Sequence, residues 1–177
     1  MARRPTRSAC DAERRPTPAA RISIRRAAAA DEDAARAILQ DYYVAAGVVV
    51  RDDAAAISDY LRGRGALWLA EIDGMTIGCI VLRPLDDVDA HACEVKRLYV
   101  REAYRGAGVA GRLHDALEAF ARSAGFHWMY LDTASGMQAA IRFYKRHGYE
   151  SCERYNDNPQ ATLFMRKILA TPADPSR

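Results

Sequence analysis

Arg105-Gly106-Ala107-Gly108-Val109-Ala110-Gly111-Arg112 is the stretch on which the fold turns. Gly106 and Gly108 have no Cβ, so the backbone can turn tightly there and approach a ligand closely. Val109, Leu113, Ala116, Leu117, Phe120 and Ala124 then recur at helical spacing, with Arg112, Asp115, Glu118 and Arg122 on the opposite side. This periodicity predicts an amphipathic helix over residues 107–124, closed by Gly125. The first N–H groups of a helix have no partner within it, and with the helix dipole they suit a phosphate. Arg105 and Arg112 add positive charge beside them. The segment reads as a pyrophosphate cradle; the bland alternative is a tight strand-to-helix connection.

Residues 106–111 also match G-x-G-x-x-G, and Asp132 stands at the end of the next predicted strand, as in a dinucleotide fingerprint. The context argues against it. A Rossmann strand runs straight into its first glycine, in the first βα unit of its domain. Here Arg101–Arg105 intervenes, and three strands without helical crossovers precede the loop.

Working outward, Ile22 and Ile24 alternate with polar residues as in a half-buried strand. A helix follows from about Asp31, with Ala35, Ile38, Leu39, Tyr42 and Ala46 on one face and Gly47 at its end. A shorter helix starts near Asp53 and ends at Gly63. Ala66–Ile72 and Met75–Arg83 form a hairpin about Asp73-Gly74, a pair that supplies the positive φ of a tight turn. A strand over Ala92–Val100 precedes the glycine-rich loop. Beyond the helix come a strand at Trp128–Asp132, a helix at Gln138–His147, and strands at Tyr149–Glu153 and Thr162–Leu169. The order β-α-α-β-β-β-α-β-α-β-β is a mixed α/β layout.

The chain has 177 residues, enough for one domain, and 50% of them are hydrophobic. No run reaches the roughly 18–20 apolar residues of a membrane span. The net charge is +3, yet residues 1–21 hold six arginines against Asp11 and Glu13, so the body of the chain sums to −1. That balance argues against nucleic acid as the partner. Residues 1–20, rich in arginine and proline, read as a disordered arm, residues 21–170 as the folded domain, and 171–177 as a flexible tail. Cys10, Cys79, Cys93 and Cys152 form no C-x-x-C pair, and neither a zinc site nor a disulfide framework is expected. Reduced thiols and the absence of a secretory signal point to the cytoplasm. The sequence is compatible with a homodimer without specifying one.

The segment Glu94–Tyr149 resembles the core of the GCN5-related N-acetyltransferase (GNAT) superfamily. Residues 105–110 match its [QR]-x-x-G-x-[GA] signature, and Gly111-Arg112-Leu113 continues it. Ala140-Ile141-Arg142-Phe143-Tyr144-Lys145-Arg146-His147-Gly148-Tyr149 is similar to its second motif, a helix ending in Phe-Tyr-x-x-x-Gly-Phe/Tyr. The resemblance implies a central mixed sheet of six to seven strands flanked by about four helices. It implies acetyl-CoA as co-substrate, lying where two parallel strands, Glu94–Val100 and Trp128–Asp132, splay apart. The pantetheine arm would pair with Leu98, Tyr99 and Val100, and the pyrophosphate would sit on Arg105, Gly106, Ala107, Gly108, Val109, Ala110, Gly111 and Arg112. One position departs from the family: Met137 stands where an asparagine often reaches the pantetheine.

By the same resemblance Glu94 is the base that relieves an acceptor amine of its proton, directly or through water. Its alternative is an ion-pair partner for Lys96 or Arg97. Tyr144 would protonate the departing CoA thiolate; its alternative is a core aromatic beside Phe143. Acceptor contacts are expected from the first two helices and the late hairpin, with Tyr43, Arg51 and Asn156 as candidates. The implied activity is acetyl transfer to a small-molecule amine, and a binding module without turnover is the other function open to the same residues.

Overall fold

The computed structural model describes residues 21–169. The expected N-terminal arm and C-terminal tail lie outside the described residues. Eleven regular elements follow the predicted order: β1 (Ser23–Arg26), α1 (Glu32–Ala46), α2 (Ala54–Arg62), β2 (Ala66–Ile72), β3 (Met75–Pro84), β4 (Ala92–Val100), α3 (Val109–Ser123), β5 (Trp128–Thr133), α4 (Gln138–Arg146), β6 (Glu150–Ser151) and β7 (Leu163–Ile168). They build one seven-stranded sheet in the order β1-β2-β3-β4-β5-β7-β6.

The hairpin turns as its Asp-Gly pair requires, with φ of 49° at Asp73 and 78° at Gly74. Alternate residues of the central strands feed two layers. Trp68, Ile80 and Leu82 meet α3 on one face with Leu113 and Leu117. Leu67, Leu69 and Val81 meet α1 and α2 on the other, with Ile38, Leu39 and Ile57. Both faces of β2 and β3 are therefore covered, which is why their sequences run nearly unbroken in apolar residues. Among the described residues no helix is long and apolar enough to cross a membrane.

Three local differences from expectation have physical causes. Helix α3 begins at Val109 rather than Ala107, because Gly106 (φ 81°) and Gly108 (φ 76°) occupy the left-handed region. The strand expected over 149–153 contracts to Glu150–Ser151, the residues that pair with β7. Asp31 precedes α1 without capping it; its carboxylate accepts from Ala28 N–H (2.7 Å) and from Arg25 (2.7 and 2.8 Å).

Two features of β4 shape the rest. It pairs in parallel with β5 over three positions, Ala92–Glu94 against Trp128–Tyr130. Beyond Glu94 the two strands separate, leaving the β5-side edge of Val95–Val100 without a strand partner. On its other edge the register with β3 shifts between Cys79–Tyr99 and Val81–Lys96, and Arg97 takes φ 57°. This bulge inverts the alternation. Cys93 and Val95 face the α3 layer before it, whereas Leu98 and Val100 do so after it. Gly78 lies opposite, and a Cβ there would stand 2.7 Å from the Tyr99 carbonyl oxygen, so only glycine permits this approach.

Candidate active site

The glycine-rich loop follows the free stretch of β4. Gly108 caps α3 without any side-chain hydrogen bond, so the N–H groups of Val109, Ala110 and Gly111 open outward. A Cβ built on Gly106, Gly108 or Gly111 would meet nothing within 4 Å, so the space above the loop is clear. Arg105 is anchored: its Nε donates to the Val100 carbonyl at 2.9 Å, which pins the loop to the end of β4. Arg112 turns the other way and donates to the Ile22 carbonyl at 2.9 Å. Of the two expected arginines, Arg112 is thus tied to the residue that precedes β1.

A cavity of about 420 Å³ opens beside the separated strands. Arg83, Lys96 and Arg97 border it from β3 and β4, and Asp132 borders it from the end of β5. Asn156 and Asn158 reach it from the β6–β7 loop, and Tyr42, Val48 and Val50 form an apolar wall from α1 and the loop after it. The volume falls within the range of small-molecule sites. Gln160 ties the two loops together, donating to the Gly47 carbonyl (3.0 Å) and accepting from Val49 N–H (3.0 Å).

Glu94 lies beneath this cavity and is 0% exposed. Its Oε2 accepts from Arg83 Nη2 (2.6 Å) and Nε (3.0 Å), and Lys96 Nζ lies 3.3 Å away. Its Oε1 accepts from Tyr155 Oη (2.9 Å) and Asn156 Nδ2 (3.2 Å). The pairing with Lys96 weighed from the sequence is present; Arg97 instead turns to Asp52. Burial first, then the charges of Glu94 and Asp132, drive the Tyr155 hydroxyl far above its usual value, so it stays a donor.

Asp132 presents the second carboxylate. Asn156 Nδ2 donates to it at 2.7 Å and Asn158 Nδ2 at 3.1 and 3.2 Å. One amide nitrogen, Nδ2 of Asn156, therefore bridges Glu94 and Asp132.

Tyr144 is buried on α4 against Phe143, Tyr149 and His114. Its hydroxyl has no hydrogen-bond partner among the described residues. Burial, then the neighbouring Tyr42 and Asp132, raise its pKa above the ordinary 10.0, so it is a proton donor throughout the neutral range.

The other expected acceptor residues divide. Asn156 is at the cavity. Tyr43 is buried elsewhere, its hydroxyl donating to Asp52 at 2.7 Å. Arg51 is exposed, stacks over Tyr43 and reaches Gln40 at 3.4 Å; neither borders the cavity. The Asn156-x-Asn158 pattern in a proline-containing loop was the available signal for Asn158. Nothing in the sequence marks Arg83, whose approach to Glu94 depends on the register of β3 with β4.

Among the described residues, one group of potential metal ligands has donor atoms within 4.8 Å of one another: His114, Asp115 and His147. It lies between α3 and the end of α4, away from the cavity. Burial, then His147, push the His114 imidazole down to about 4, leaving it neutral.

The model of the Acetyltransferase (GNAT) family matches residues 25–149. An uncharacterised N-acetyltransferase of Schizosaccharomyces pombe is 33% identical over 94 residues, 52% of this chain and 56% of its own length. The chain spans about half the length of the curated relatives it matches. A GNAT-family acetyltransferase structure from Staphylococcus aureus superposes with a TM-score of 0.71 at 19% identity, covering 85% of this chain and all of its own. N-acetylglutamate synthase from Neisseria gonorrhoeae, solved with coenzyme A and N-acetyl-glutamate, gives 0.69 at 16% identity, over 86% of this chain and 36% of its own. The two motifs read from the sequence, the splayed parallel pair and the family match over most of the folded domain agree, and the chain belongs to the GNAT acetyltransferase family.

Proposed function

We propose that this protein is an N-acetyltransferase that moves the acetyl group of acetyl-CoA to a primary amine of a small molecule, by direct attack in a ternary complex. The observation that carries the reading is the free edge of β4, which has an open glycine cradle at its far end and a cavity at its near end. A ligand lying along Val95–Val100 would rest its pyrophosphate on the N–H groups of residues 106–111 and hold its thioester at the cavity. The N-acetyltransferase names of its relatives and the coenzyme A in the gonococcal structure support the same reading.

An alkyl ammonium has a pKa of about 10 and must lose a proton before it attacks. The carboxylate network of Glu94, Asn156 and Asp132 is proposed to receive that proton. A backbone N–H near Tyr99 would meet the oxyanion of the tetrahedral intermediate. Tyr144, held protonated, would donate to the departing thiolate. The burial of Glu94 under five donor atoms favours one second reading, an acyl-CoA-binding module without turnover.

The test is thiol release from acetyl-CoA across a panel of primary amines, beside calorimetric titration with acetyl-CoA. Turnover lost in both E94Q and Y144F with acetyl-CoA binding retained supports the transferase. Tight acetyl-CoA binding without turnover on any amine supports the binding module.

A further inference from the structure

The geometry points to Asp132 as the residue that grips the acceptor's ammonium group and takes its proton, and to an acceptor whose primary amine is carried on an apolar body. This inference rests on the acetyl-transfer reading and sharpens it.

Two carboxylates adjoin the cavity, and their surroundings differ in kind. Glu94 is fully buried, both its oxygens are occupied, and Arg83 and Lys96 answer its charge. An incoming amine has no route to its lone pairs without displacing Asn156 or Tyr155. Asp132 borders the cavity, and its donors are the neutral amides of Asn156 and Asn158. No lysine or arginine pairs with it among the described residues. The cations of the cavity wall are engaged elsewhere, Arg83 and Lys96 by Glu94 and Arg97 by Asp52.

The amides thus fix the Asp132 carboxylate without neutralising it. A carboxylate offers about four acceptor sites, and the amides make three contacts, so an ammonium group has a place to bind. It would also supply the missing countercharge. Tyr42, Val48, Val50 and Pro159 also line the cavity and suit an apolar substituent.

The step balances as follows. One N–H proton of the ammonium passes to Asp132, and the freed lone pair attacks the thioester carbon. The C–N bond forms as the C=O π pair moves onto oxygen. Collapse breaks the C–S bond, and the thiolate takes the Tyr144 proton. The nitrogen loses its second proton, which restores the phenol, and Asp132 returns its proton to solvent.

The experiment compares wild type, D132N, D132E and E94Q. Acetyl-CoA affinity is measured by calorimetry, and thiol release is measured on alkyl- and arylalkylamines. Binding of 2-phenylethylamine and of uncharged 2-phenylethanol to the CoA-loaded protein is measured without turnover. D132N is expected to keep its acetyl-CoA affinity within twofold and to bind 2-phenylethylamine no better than 2-phenylethanol. It is also expected to lose at least 100-fold in kcat/KM, with part recovered in D132E. If D132N binds and acetylates amines like wild type while E94Q does not, Asp132 is overturned and the transferase reading stands. If wild type binds acetyl-CoA but neither binds nor acetylates any amine, both fall. Should D132N lose acetyl-CoA binding, D132E carries the comparison: a D132E protein that binds acetyl-CoA with amine kinetics equal to wild type overturns the assignment.

Discussion

Arg97 and Asp52 form a two-pronged ion pair, with Nε–Oδ2 at 2.8 Å and Nη2–Oδ1 at 3.1 Å. It fastens the loop between α1 and α2 to the bulge of β4. Both side chains are nearly buried, 11% and 8% exposed, and Asp52 also accepts from Tyr43 (2.7 Å) and Tyr60 (3.0 Å). The pair holds a wall of the cavity against the strand that the co-substrate is proposed to follow. It also accounts for an arginine in a left-handed conformation, whose cost the surrounding contacts offset.

Removing one partner leaves the other charge buried and unpaired. D52A is expected to lower stability by about 3–5 kcal/mol, read as a fall in denaturant midpoint. Burial alone would raise the Asp52 carboxyl, but Arg97, Tyr43 and Tyr60 bring it below its ordinary 3.8. A carboxyl depressed by folding stabilises above its unfolded pKa, and this contribution fades as pH falls through the folded value. The wild type should therefore lose more stability than D52A on acidification below about pH 4, measurable by melting across pH 2–6.

Tyr144 is expected to matter for chemistry and little for stability. Y144F should reduce kcat by roughly 10²–10⁴-fold while leaving acetyl-CoA affinity unchanged. Its hydroxyl has no partner among the described residues, so the melting temperature should hold or rise slightly. Because folding raises this phenol above 10.0, the protonated form persists through neutral pH, and kcat should show no alkaline loss from Tyr144 below that value.

The cradle depends on backbone conformation at Gly108. With φ at 76° and open space around its Cβ position, a side chain is resisted by the backbone and not by neighbours. G108V forces a β-branched residue into a region that costs it about 1–2 kcal/mol or more. Relaxation toward negative φ would re-aim the helix N–H groups. Calorimetry should show acetyl-CoA affinity falling by roughly tenfold or more, a loss of about 1.4 kcal/mol.

Gln160 joins the loop after α1 to the β6–β7 loop through two hydrogen bonds. Each such bond contributes about 0.5–1.5 kcal/mol. Q160A is expected to raise the acceptor KM by roughly three- to tenfold with little change in acetyl-CoA affinity, as steady-state kinetics with each substrate varied would reveal.

The element order was legible because each signal is local. Asp73-Gly74 defines its turn by its own backbone preferences, and the apolar stripe of α3 repeats at 3.6 residues without reference to the rest of the chain. The cradle was legible for the same reason, since its glycines, its helix start and its arginine are consecutive. The acceptor side was less so. Tyr43 and Arg51 are placed by the Asp52 pairing, a contact between an α1–α2 loop and a strand 45 positions on. Asp132 and Asn158 were visible as residues, but their meeting required β5 and the β6–β7 loop to converge.

The sequence by itself determined the order of strands and helices and the loop that opens at Gly106, because those follow from short-range periodicity and glycine conformation, and its two motifs carried the resemblance to the family. Tertiary structure alone decided which carboxylate faces the cavity. Glu94 and Asp132 are both acids on apolar strands and look alike in sequence. The register of β3 against β4 brings Arg83 onto Glu94, whereas β5 parts from β4 before Asp132 and leaves that carboxylate to neutral amides. Desolvation and charge pairing are set by neighbours distant along the chain, and no local pattern encodes them.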